Sequence, residues 1–121
     1  MDSLLSDRRV LVVEDELMVL LTIEDMLADL GCTSILAAAS VEQALKLVKH
    51  EDFDVALLDV NLNGTRSYPI ADALAEHAVP FLFATGCPGP DTSNRYFDAP
   101  LLNKPFRSDA LEELLTRMLA A

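Results

Sequence analysis

Short apolar runs alternate with stretches of helical period along the whole chain, and that alternation leaves few folds open. The first run, Val10-Leu-Val-Val13, is entered from Arg8-Arg9 and closed by Glu14-Asp15. A continuous apolar run of this length suits a strand buried on both faces, as in a parallel sheet. Across residues 16–30 the period turns helical: Val19, Leu20, Ile23, Met26, Leu27 and Leu30 share one face, and Gly31 marks the stop. Residues 34–38 read as a second short strand. Ser40 with Gln43 then forms a capping box ahead of the stripe Val41, Ala44, Leu45 and Val48.

The pattern repeats downstream. Residues 53–58 give a third strand ending in Asp59, and a polar stretch, 61–67, leads to Pro69 and the apolar side Ile70, Ala71 and Leu74 of a third helix. Residues 80–84 give a fourth strand, ended by Thr85-Gly86. Two prolines and a glycine within 87–98 predict a short or irregular fourth helix. Leu101-Leu102 marks a fifth strand, and from Ser108 a last helix turns Leu111, Leu114, Leu115 and Met118 inward. Five strands alternating with helices in 121 residues predict a single α/β domain. The expected architecture is a doubly wound, five-stranded parallel sheet of order 2-1-3-4-5 with helices on both faces.

Composition narrows the function. With 51% hydrophobic residues the chain can bury a core. Acidic residues outnumber basic ones 20 to 9, for a formal net charge of -11. That balance excludes nucleic acid as a partner, which needs clustered Lys and Arg, and anionic membrane surfaces with it. The most apolar stretch, around residues 17–21, is soon broken by Glu24 and Asp25, so no segment spans a bilayer. The N-terminus has no signal-peptide layout, and Cys32 and Cys87 make no disulfide framework. The expectation is a soluble cytoplasmic domain.

In an open α/β sheet, ligands bind outside the carboxyl ends of the strands, where the winding reverses. Strand 1 ends in Glu14-Asp15, strand 3 in Asp59, strand 4 in Thr85, and strand 5 just before Lys104. Strand 2, on the outer edge, ends in Ala37-Ala38-Ala39 and carries no functional group. Three carboxylates converging in one crevice repel one another, and Lys104 offsets only one charge. A hard divalent cation with oxygen ligands resolves the excess, and Mg²⁺ suits a site of few carboxylates and several waters. A phosphoryl group then fits on the metal, its other oxygens held by the Thr85 hydroxyl and the Lys104 ammonium.

These residues resemble the receiver domains of bacterial two-component response regulators. The resemblance runs from Val10-Leu-Val-Val-Glu-Asp15 through Leu57-Leu-Asp59 and Ala84-Thr-Gly86 to Asn103-Lys-Pro-Phe106. It implies that Asp59 is the phosphoacceptor of a phosphorelay, taking a phosphoryl group from a sensor histidine kinase or a histidine phosphotransfer protein. Glu14, Asp15 and Asp59 would hold Mg²⁺ together with the backbone carbonyl of Asn61, Glu14 acting through water. Thr85 would follow the transferred group and Lys104 would pair with it, across a Lys104–Pro105 bond that is cis in the family. The domain would catalyse only its own phosphorylation and dephosphorylation. No proton leaves an ionised Asp, so His50 and His77 are expected as exposed helix residues.

A finer similarity, in Phe81-Leu-Phe-Ala-Thr-Gly86 and Asp59-Val-Asn-Leu-Asn-Gly64, is to the Phe-Ala-Thr-Gly subgroup of receivers, often paired with kinases of the HWE type. The chain departs from the usual pattern at Leu62-Asn63, where receivers have Met-Pro, and at Leu101, where they carry an aromatic switch residue. Pro88 stands near where the subgroup has a Tyr. Signalling is therefore expected to run through reordering of residues 86–98. Leu17, Met18 and Leu21 lie off the main stripe of the first helix, as a docking flank for the kinase or as simple packing. Cys87 reads as a small adaptable residue rather than a redox group. Nothing follows the last helix, so a single receiver domain without an output domain is expected, with a phosphorylation-dependent homodimer as one assembly open to it.

Three rival readings remain. A haloacid-dehalogenase-like phosphatase would place its nucleophile on the first strand in an Asp-x-Asp motif, whereas here the paired acids come first. A flavodoxin-like electron carrier would need a Ser/Thr-rich loop where Glu14-Asp15 stands. A degenerate module that binds partners without phosphorylation would not need every site position filled.

Overall fold

A computed structural model describes residues 4–86 and 99–119. Its element order is β1 (Arg9–Val13), α1 (Leu17–Asp29), β2 (Ser34–Ala38), α2 (Val41–His50), β3 (Val55–Asp59), β4 (Asn61–Leu62), β5 (Thr65–Arg66), α3 (Tyr68–Glu76), β6 (Phe81–Thr85), β7 (Leu101–Asn103) and α4 (Ser108–Leu119). Five strands pair in the order β2-β1-β3-β6-β7, and every pairing is parallel. Counting only these strands, the order is the expected 2-1-3-4-5. The expected fourth helix, Cys87, Pro88 and nearly all of the segment expected to reorder lie outside the described residues. Within them, no helix is long and apolar enough to cross a membrane.

Alternate residues of the buried strands feed two cores. Val10 and Val12 of β1, Val55 and Leu57 of β3 and Leu82 of β6 face Ile23, Leu27, Leu111 and Leu115, so α1 and α4 cover one side. Leu11, Val13, Ala56, Leu58 and Phe83 face Ala44, Val48, Ile70, Ala71 and Leu74, so α2 and α3 cover the other. Period 2 in the strands and period 3.6 in the helices meet here, and each fully buried Leu is worth roughly 1.5–3 kcal/mol. Leu5 joins the α1–α4 core with no exposed surface, its N–H bonded to Leu30 O at 3.0 Å. No strand or helix periodicity in the sequence marks that segment.

Helix ends follow local chemistry. Ser40 Oγ accepts from Gln43 N at 3.2 Å, while Gln43 Oε1 accepts from Ala39 N at 2.8 Å, one residue before the cap. At the end of α1, Gly31 takes φ 92°, with Gly31 N bonded to Ala28 O and Cys32 N to Leu27 O, a Schellman closure. The same closure ends α3 through Ala78 N to Ala75 O and Val79 N to Leu74 O, but there the left-handed residue, at φ 58°, is Ala78.

The structure corrects one stretch. Residues 61–67, read as a polar connection, contain a hairpin in which Leu62 pairs with Thr65 and Asn61 with Arg66. Asn63 and Gly64 both take positive φ, 54° and 92°, as a two-residue type I′ turn requires. Leu62 pins the hairpin to the α2–α3 core at 3% exposure.

Candidate phosphoryl and metal site

Register brings the site together. Val13 pairs with Leu58, so the next residues of the two strands, Glu14 and Asp59, emerge side by side at the carboxyl edge. Asp59 pairs with Ala84, which sets Thr85 one step beyond it, and Thr85 pairs with Asn103, which sets Lys104 next. The main chain locks that last step, Lys104 N donating to Thr85 O at 2.7 Å. The Lys104–Pro105 bond is cis, as the resemblance implied.

Glu14, Asp59 and Thr85 are all buried, and Asp15 is half-buried. One carboxylate oxygen from each of Glu14, Asp15 and Asp59 lies within 4.8 Å of the others. The Lys104 ammonium bridges two of them, pairing with Glu14 Oε1 and lying 3.3 Å from Asp59 Oδ2. The other Glu14 oxygen accepts from Glu16 N at 3.2 Å, at the start of α1. Buried carboxylates without such partners would be costly.

The electrostatics follow from this crowding. Burial first, and then the Glu14 charge, raise the Asp59 pKa to about 6, although Lys104 and the Asn61 N–H pull the other way. Burial also works against the Lys104 charge, but the hydrogen bond to Glu14 and the charge of Asp59 outweigh it and hold its pKa above the usual lysine value. Three carboxylates against one ammonium leave a formal charge of −2 (−3 and +1), all donors being hard oxygens. That donor set fits a hard divalent cation such as Mg²⁺.

Asn61 enters through the hairpin. Its N–H donates to Asp59 Oδ1 at 3.3 Å. Ser67 N bonds Val60 O at 3.0 Å, so the intervening Asn61–Arg66 pair is the wide, non-bonded kind. The N–H and C=O of Asn61 therefore point away from β5, on the edge that meets Asp59. The Asn61 side chain is occupied elsewhere, its Oδ1 accepting from Gly64 N at 2.9 Å.

The structure thus gathers Glu14, Asp15, Asp59, Asn61 and Lys104, with Thr85 at the adjoining strand end. His50 and His77 are exposed helix-end residues, as expected. Sequence reasoning missed the second task of Lys104, which holds Glu14 as well as Asp59; nothing in residue spacing announces it. It also missed the hairpin, for which Asn63-Gly64 was a readable signal. Leu17, Met18 and Leu21 are 66%, 74% and 45% exposed, beside a groove of about 460 Å³ whose walls include Met18, Val19, Met26, Gly86, Lys104 and Phe106.

Comparison with known proteins agrees with this geometry. A sequence model of the response regulator receiver domain matches residues 10–116. The chain is similar to the transcriptional regulatory protein YvrH of Bacillus subtilis (strain 168), 32% identical over 77 residues, and the match takes in 63% of this chain but only 32% of that protein. The solution structure of SdrG from Sphingomonas melonis Fr1 superposes with a TM-score of 0.81 at 39% identity, over 98% of this chain and 99% of that one. The receiver domain of the sensor histidine kinase PA1611 from Pseudomonas aeruginosa PAO1 superposes with a TM-score of 0.80 at 25% identity, over 94% of this chain and 98% of that one. That structure has a magnesium ion coordinated in its active site cleft.

Proposed function

The chain belongs to the response regulator receiver domain family, and on that footing we propose that Asp59 is its phosphoacceptor. The observation that carries this reading is the setting of Asp59. It is a buried carboxylate crowded by two others, yet it stays 3.3 Å from an ammonium that can follow a phosphoryl oxygen. With its pKa at about 6, Asp59 is ionised at neutral pH and needs no base to become a nucleophile. One Oδ attacks the phosphorus of a phosphohistidine, the N–P bond breaks, and the imidazole leaves with the bonding pair. Lys104 then shares its charge with the new acyl phosphate, and the Thr85 hydroxyl is a donor for a remaining oxygen.

Glu14, Asp15, Asp59 and the carbonyl of Asn61 are the groups that would hold Mg²⁺, which when bound supplies the positive charge that the carboxylates and the phosphoryl oxygens lack. In this reading the domain is a signalling unit that catalyses its own phosphorylation and dephosphorylation. Its donor is a histidine kinase or a histidine phosphotransfer protein. The donor docks an apolar helical surface on Leu17, Met18 and Leu21, beside the groove that reaches Lys104.

Incubation with acetyl phosphate and Mg²⁺, followed by intact-mass measurement, tests the proposal. Wild type should gain one phosphoryl group, and the gain should vanish in Asp59→Asn and on chelation of the metal. Equal capture by Asp59→Asn would refute it, and turnover of generic phosphomonoesters would favour a phosphatase instead.

A further inference from the structure

Among the described residues near the carboxyl edge of the sheet, one cation, on the β4–β5 hairpin beside Asp59, has no assigned task. Lys104 is held by Glu14 and Asp59, and Arg107 pairs with Asp109 at 3.2 Å. Arg66, on the β4–β5 hairpin, is exposed and makes no ion pair among the described residues. Its place is fixed by register. It stands opposite Asn61 in a wide antiparallel pair, where the two Cα atoms lie about 4.5 Å apart and the side chains share a face. Asn61 in turn donates its N–H to Asp59. Arg66 is therefore one strand's width from a residue that touches the phosphoacceptor, on an element anchored by buried Leu62.

Charge gives this placement a consequence. The crevice is formally −2, on a chain of −11, and an incoming phosphoryl group is itself a dianion. A divalent cation offsets the crevice but not the donor. We propose that Arg66 is a binding residue for the phosphoryl donor: it draws the dianionic group to the crevice and neutralises its outward oxygens, without joining the groups that hold the metal. A guanidinium suits this work, since its planar fork pairs with phosphoryl oxygens and its long stem can lie across Asn61. The proposal rests on the reading of Asp59 as phosphoacceptor.

The test compares the full chain with Arg66→Ala, Arg66→Lys and Arg66→Glu. Loading by acetyl phosphate in Mg²⁺ is timed by intact mass at low and high salt, and Mg²⁺ affinity of the unloaded proteins is measured by calorimetry. At low salt Arg66→Ala should load about threefold more slowly, Arg66→Glu more slowly again, and Arg66→Lys should recover much of the rate. These differences should shrink in about 0.5 M salt. Mg²⁺ affinity should stay level or rise in Arg66→Ala, because losing one cation favours binding another. A hairpin merely disturbed by the substitution would lose loading and Mg²⁺ affinity together, and that parallel loss would overturn the proposal. Equal loading by wild type and Arg66→Ala would do the same. A wild-type chain that takes no phosphoryl group would instead sink the reading of Asp59, on which this one stands.

Discussion

Asp59 is kept ionisable and uncomfortable by the same neighbours. Its proton is held more tightly in the folded chain than in the unfolded one, the pKa moving from 3.8 to about 6. The stability owed to this group is thus greatest at acid pH and declines as pH rises across that interval, because the folded state binds more protons there. Asp59→Asn removes the like charge beside Glu14. Without divalent cations it should stabilise the fold near pH 7.5 by on the order of 2 kcal/mol and flatten the decline between about pH 4 and 6. A pH series of urea unfolding midpoints checks this; a variant less stable than wild type at pH 7.5 would contradict it. The acids and Lys104 were legible in the sequence because each ends a strand. The pairing of Lys104 with Glu14 was not, since it joins residues 90 positions apart and depends on how one side chain leans.

Among the elements, the hairpin and the end of α3 show how local rules were present but unequally read. Asn63-Gly64 is the dipeptide a type I′ turn needs, yet a two-residue strand on either side is too short to show alternation. Leu62, the one apolar residue that anchors it, looks like an isolated hydrophobe until the fold places it in the core. At the end of α3 the chain uses Ala78 where glycine is the easier residue, at φ 58°. Relief of that strain exceeds the added freedom of the unfolded chain, so Ala78→Gly should stabilise the protein by about 0.5–1 kcal/mol. Urea unfolding measures it, and a loss of stability would show that the exposed Ala78 methyl contributes more than the backbone suffers. The capping box of α2 and the stop at Gly31 were readable because each rests on hydrogen bonds within five residues of chain, through side chains at Ser40 and Gln43 and through the backbone at Gly31.

At the scale of the molecule, sheet order was legible because run length, crossover handedness and strand-end chemistry agree on one topology. The place of Leu5 in the α1–α4 core was not, because no periodicity surrounds it. A chain of net charge -11 attracts cations everywhere, so position rather than affinity is the informative property of metal binding. Trace Mn²⁺ should broaden the amides of Glu14, Asp15, Asp59, Asn61 and Lys104 first, and those of Glu51 and Asp54, at the opposite edge of the sheet, only later. Early broadening around Glu51 and Asp54 would mean diffuse attraction instead of a built site. The central claim is that one carboxylate among many receives the phosphoryl group. Borohydride reduction of the loaded protein converts an aspartyl phosphate to homoserine, which peptide sequencing by mass spectrometry locates. Homoserine at position 59 alone is the result the account predicts; homoserine at Asp15 or Asp54, with Asp59 intact, would contradict it.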